Sequence, residues 1–128
     1  MDYITRHAIE QKVIVKLFEE TAKAGWEISY VFDGEEKIWR ASPAEAIEII
    51  FSVDESSVCF KKPCAADALI RRSVSIVLGN DGYDCIADHS KSDAINPEDD
   101  FEQVMALVFA FSESLAESIF NNAMGCKP

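Results

Sequence analysis

The sequence predicts an α+β sandwich: one antiparallel sheet of about five strands, packed against long N- and C-terminal helices and a short middle helix. Three observations carry that expectation. Two Asp-Gly pairs, Asp33-Gly34 and Asp81-Gly82, each sit between runs that alternate apolar and polar residues, the mark of a β-hairpin. Both ends of the chain repeat apolar residues at helical spacing. Between the hairpins, Ser42-Pro43-Ala44-Glu45 has the composition of a helix start. A chain of 128 residues is one domain, 1–128, and is long enough to bury a core without staples.

Residues 2–24 are expected to form the first helix. Ile4, Ala8, Val13, Ile14, Leu17 and Phe18 share one face, Asp2 is the N-cap, and Gly25 is the stop. Residues 26–40 form the first hairpin, with Trp26, Ile28, Tyr30, Phe32 and Trp39 placed on one face by strict alternation. Glu27, Ser29, Glu36 and Arg40 take the other, where Glu27 faces Arg40. Ser42 and Glu45 have capping-box spacing, and Ala46, Ile47, Ile50 and Phe51 point inward from the short helix. A single strand follows over 56–62, with Val58 and Phe60 on its inner face.

Residues 63–72 show no clear period and are read as a loop with a helical turn. The second hairpin, 73–89, turns tightly at Asp81-Gly82. Leu78 then faces Cys85, Ile76 faces Ala87 and Val74 faces His89. Asn96 and Pro97 are expected to start the last helix, with Glu98, Asp99, Asp100 and Glu102 at its positive end. Its stripe of Phe101, Val104, Met105, Val108, Phe111, Leu115 and Ile119 is flanked by Leu107, Phe109 and Phe120. That is more apolar surface than one packing partner needs, and it predicts a homodimer through the C-terminal helix.

Charge narrows the partners. With 23 acidic and 12 basic residues the net charge is −11, which repels nucleic-acid backbones and anionic membranes and favours a basic protein. No apolar run approaches the ~20 residues of a membrane span, and the first residues have no basic region leading into an apolar block. The expectation is a cytoplasmic protein. Cys59, Cys64, Cys85 and Cys126 make no metal-binding spacing, so they are read as free thiols, and no cofactor is expected.

Two sets of residues stand out for binding. Trp26, Tyr30 and Trp39 supply an aromatic face, and Lys61, Lys62, Arg71 and Arg72 supply a cationic cluster; together they suit a small anionic ligand. Glu98, Asp99, Asp100, Glu102, Leu107 and Phe109 are candidates for a protein partner, with the carboxylates also suited to mimicking nucleic acid. Asp84, Asp88 and His89 put a carboxylate near an imidazole, but alternation sends His89 and Asp88 to opposite faces. No catalytic residues emerge. The leading expectation is a non-enzymatic protein-binding module; the alternative is a small-molecule binder or enzyme with an aromatic-lined pocket.

The segment Leu78-Gly-Asn-Asp-Gly-Tyr-Asp-Cys-Ile-Ala-Asp-His-Ser90, followed by a helix, resembles a stretch of small uncharacterised bacteriophage and prophage proteins. The resemblance implies a mobile-element origin in a bacterial cytoplasm and brings no catalytic residues with it. In size, acidity and helix-sheet-helix make-up the chain is also similar to acidic type III secretion chaperones. That family places a helix after the third strand, whereas here it follows the second.

Overall fold

The computed structural model describes residues 2–64 and 68–123, with backbone only for 119–123. These residues form α1 (Tyr3–Lys23), β1 (Glu27–Phe32), β2 (Lys37–Trp39), α2 (Pro43–Ile50), β3 (Glu55–Pro63), β4 (Leu69–Val77), β5 (Ile86–His89) and α3 (Phe101–Ala123). All strands pair antiparallel, in the order β2-β1-β3-β4-β5. The fold is α+β, as expected. No described helix is long and apolar enough to cross a membrane.

Local chemistry fixes the first two helices. Asp2 accepts from the Thr5 N–H at 2.7 Å, which satisfies one of the orphan donors of α1. In α2 both halves of the capping box are made: Glu45 N–H to Ser42 Oγ at 3.2 Å, and Ser42 N–H to Glu45 Oε1 at 3.3 Å. The core lies between the helices and one face of the sheet. Ile9, Val13, Ile14, Leu17 and Phe18 from α1 meet Ala46 and Ile50 from α2 and Phe101, Val104, Met105 and Val108 from α3. The sheet contributes Val31, Val58, Phe60, Ile70, Val74, Ile76 and Ile86. Burying a side chain such as Phe60 contributes roughly 1.5–3 kcal/mol.

Alternation alone misassigns the first hairpin. Ile28 pairs with Phe60 and Tyr30 with Cys59, so Ser29 is an extra residue in β1, a β-bulge. Beyond it the parity reverses. Trp26 and Ile28 face the core, and so does Val31, while Tyr30 and Phe32 face outward with Trp39, the register partner of Tyr30. The five residues expected on one face are divided between two. The turn is also longer than Asp-Gly alone predicts, because Phe32 pairs with Lys37 across Asp33 to Glu36. The Asp33 carboxylate closes it by accepting from the N–H groups of Glu35 and Glu36. Glu27 lies opposite Lys61 and not Arg40, which turns away with a positive φ of 57°.

The second hairpin departs similarly. Val74 faces His89 as expected, but Ile76 faces Ile86, leaving Ala87 as a second bulge residue. Ile86 is therefore buried and Ala87 exposed. Residues 78–85 form a wide loop, because tertiary contacts hold it open. The Leu78 N–H goes to the Asp54 carbonyl, and the Gly79 N–H to the buried Glu10 carboxylate of α1, both at 2.8 Å. Gly82, with φ 95°, lies against α1 so closely that a Cβ would meet Ile9 at 3.2 Å.

Two further boundaries move. β4 begins at Leu69 and pairs with β3 as far as Pro63, so the irregular stretch is mostly strand; residues 65–67 lie outside the description. Helix α3 begins at Phe101, five residues after Asn96. Asn96 closes a turn, accepting from Glu98 N–H through its side chain and from Asp99 N–H through its carbonyl. The tail from 124, with Cys126, and the side chains of Ile119 and Phe120 are outside the described residues.

Candidate functional site

The helices α1, α2 and α3 share one core cluster with the inner face of the sheet, and among the described residues no helix covers the other face. Strand pairing lays out that open face in rows. One row runs Trp39, Tyr30, Cys59, Ser73, with Ser90 just beyond, its N–H donating to the Ser73 carbonyl. Beside it runs Glu27, Lys61, Arg71, and on the other side Lys37, Phe32, Ser57, Ser75, Asp88. Small side chains in the middle strands and large ones on β1 and β2 make a trough of about 300 Å³, lined by Tyr30, Lys37, Trp39, Cys59, Arg71, Arg72, Ser73 and Ser90.

Its aromatic wall is built from one pair. The Tyr30 and Trp39 rings are 4.9 Å apart and tilted by 56°, and the Lys37 ammonium lies over both, at 4.8 and 5.8 Å. Trp39 is 57 % exposed, far more than a packed tryptophan. Burial raises the Tyr30 hydroxyl pKa, with the neighbouring Cys59 adding to the effect. Burial also raises the Cys59 thiol, against the opposing pull of the Tyr30 hydroxyl and then of Arg71 and Lys37, so the floor of the trough is a neutral thiol. The Ser73 and Ser90 hydroxyls lie 3.2 Å apart. Among the described residues, Lys37 and Arg71 have no carboxylate within ion-pair distance.

Strand parity divides the cationic cluster. Lys61 and Arg71 are register partners on the open face. Lys62 and Arg72 point to the helices instead. The Lys62 ammonium is 3.1 Å from Asp100 Oδ1, the same oxygen that accepts from Trp26 Nε1 at 2.8 Å. The Arg72 guanidinium grips Asp99 Oδ2 through Nε, at 3.0 Å, and through a second nitrogen. Asp99 also accepts from the Asp93 N–H at 2.7 Å. Burial, the largest influence on Asp99, raises its pKa, but Arg72 and the Asp93 and Phe101 N–H groups outweigh it and hold the carboxyl below its ordinary value. Of the seven aromatic and basic candidates, Tyr30, Trp39 and Arg71 come together in the trough with Lys61 beside it; Trp26 and Lys62 anchor the start of α3, and Arg72, bound to Asp99, anchors it too while bordering the trough.

The partner candidates separate too. Asp99 is buried and bound to Arg72, Asp100 is engaged by Lys62 and Trp26, and Glu102 is exposed. Phe109 packs on the His89 ring at 5.6 Å, while Leu107 is 55 % exposed. Sequence reasoning passed over Lys37, Cys59, Ser73 and Ser90 as site residues. The alternation of Ser73 and Ser75 with Val74 and Ile76 already marked two small residues on the outer face of a central strand, and that signal points to the trough floor. No group of three or more metal-ligating side chains forms among the described residues. No protein-family model, curated protein or solved structure matches this chain.

Proposed function

We propose that this chain is a non-enzymatic binding module that works through the open face of its sheet and takes an anionic ligand there. One observation carries the reading: on an acidic protein, the uncovered face gathers an exposed aromatic pair and the cations Lys37 and Arg71 around a small-residue floor. The trough lining is locally of opposite sign to the chain as a whole, and attraction there is confined to the trough. Binding is favoured over catalysis by the lining itself. Among the described residues no carboxylate or imidazole lines the trough, and the Cys59 thiol is shifted away from the reactive thiolate.

A second reading, self-association through the helices, has its own support. Val15 on α1 is 40 % exposed and Leu107 on α3 is 55 % exposed, and Val15 and Phe111 line a groove of about 390 Å³ between these helices. Pull-downs and metabolite extraction with wild-type, Arg71→Glu and Leu107→Ser proteins separate the two. Loss of the bound species in Arg71→Glu alone supports the open face. Loss in Leu107→Ser alone, with a dimer seen by sedimentation, overturns it in favour of the helices.

A further inference from the structure

We infer that the trough takes a single planar ring carrying one anionic group, a ligand of the size and chemistry of a nucleoside monophosphate. The inference rests on the open face being the working surface, and it comes from the order of side chains across the sheet. Trp39 and Tyr30 stand at one end of the row, on β2 and β1; Ser73 and Ser90 stand at the other, with Arg71 two residues from Ser73 on the same face of β4. An aromatic wall offers a ring a stacking surface, worth ~1–3 kcal/mol per base in nucleic-acid-binding proteins. Arginine presents a planar fork of donors that matches phosphate or carboxylate. Tyr30 and Ser73 lie two strand spacings apart, roughly 10 Å, the reach of a base, a sugar and a phosphate laid end to end. Between them the floor is Cys59 and Ser73, small enough for a flat ligand to lie on the sheet.

The arrangement of cations points to an anion independently. Arg71 and Lys61 are directly opposite on neighbouring strands, where like charges disfavour the pairing. Glu27 faces Lys61 from β1, and an anion shared with Arg71 removes the repulsion that is left. Lys37 lies on the two rings and not against a carboxylate, so it adds positive charge at the ring end of the trough. Size and field exclude a polymer. A space of about 300 Å³ is at the small end of ligand sites, and a chain of net charge −11 repels each further phosphate of a strand.

The two tryptophans make the test direct. Trp26 is 4 % exposed and Trp39 is 57 % exposed, so quenchable fluorescence belongs to Trp39. AMP, adenosine, inorganic phosphate, an oligoadenylate and a poly-glutamate peptide are titrated at low salt into wild-type protein, Trp39→Phe and Arg71→Met, with circular dichroism confirming that each variant is folded. The expected result is saturable quenching by AMP that disappears in Trp39→Phe and weakens at least about tenfold in Arg71→Met, with adenosine and phosphate each at least about tenfold weaker than AMP. Tighter binding of oligoadenylate than of AMP overturns the inference in favour of a strand. Quenching by poly-glutamate but not AMP overturns the inference and leaves the open face standing as the working surface. If no probe changes Trp39, both fall.

Discussion

On the inner face of the sheet Val58, Phe60, Val74 and Ile76 are at or within 1 % of complete burial. Their immediate neighbours on the outer face are Ser57, Cys59, Ser73 and Ser75, and two of these, Ser73 and Ser75, are exposed. The same two strands thus run a packed core on one side and a shallow, uncovered floor on the other. The cations make the comparison sharper. Lys62 and Arg72 face inward and are bound to Asp100 and Asp99, while Lys61 and Arg71, one residue away, face outward without such partners in the described structure. A charge on the inner face is part of the fold's wiring, and the same charge on the outer face is free to meet a ligand.

The largest contrast is expected from Phe60, which is fully buried between Phe18 and Phe101. Phe60→Ala should destabilise by about 3–5 kcal/mol in urea denaturation, and a loss below about 1 kcal/mol would mean that the inner face is not the core.

Asp99→Ala should cost about 3 kcal/mol, because it leaves the Arg72 guanidinium facing the core without its partner. Its pH dependence has a definite sign. The folded carboxyl is held below the ordinary value of 3.8, so its contribution is complete above that value and is lost as pH falls through the lower folded one. Asp99→Asn should remove that part of the acid limb; an unchanged acid limb would assign it to other carboxylates.

Trp39→Ala should cost no more than about 1 kcal/mol, the worth of an exposed aromatic cross-strand pair. A cost of several kcal/mol would show that the outer face is structural. Smallest of all, Arg71→Ser should leave stability unchanged or raise it by about 0.5 kcal/mol, since it relieves the opposition to Lys61. A clear loss on Arg71→Ser would give that residue a structural partner and weaken the case for a ligand.

Much of this fold was legible from local chemistry. Asp2, Ser42, Pro43 and Glu45 placed the starts of α1 and α2 because capping depends on residues within four positions of one another. Alternation identified Val58, Phe60, Val74 and Ile76 as core for the same reason. What could not be read were events decided by distant partners. The loop over 78–85 is held by Glu10 and Asp54, and the start of α3 is set back by Asp99, which Arg72 holds some 27 positions away in the chain. The candidate site suffered most. Its residues were named in part, but the bulge at Ser29 exchanged faces, so Trp26 was grouped with Tyr30 and Trp39, and reading 63–72 as a loop hid the strand parity that separates Lys62 and Arg72 from Lys61 and Arg71.

The bulge at Ser29 therefore has a genetic consequence. Tyr30 and Phe32 are outward, and Val31 inward, because Ser29 is left unpaired between Ile28 and Tyr30. Loss of that single codon would turn the bulge into a regular strand, Ile28 in, Tyr30 out, Val31 in, Phe32 out, with every pairing kept. The aromatic wall thus tolerates a deletion at Ser29, whereas closing the bulge without one would carry Tyr30 and Phe32 to the inside. Among homologous chains, the segment between Gly25 and Asp33 can therefore be one residue shorter and still present the same wall.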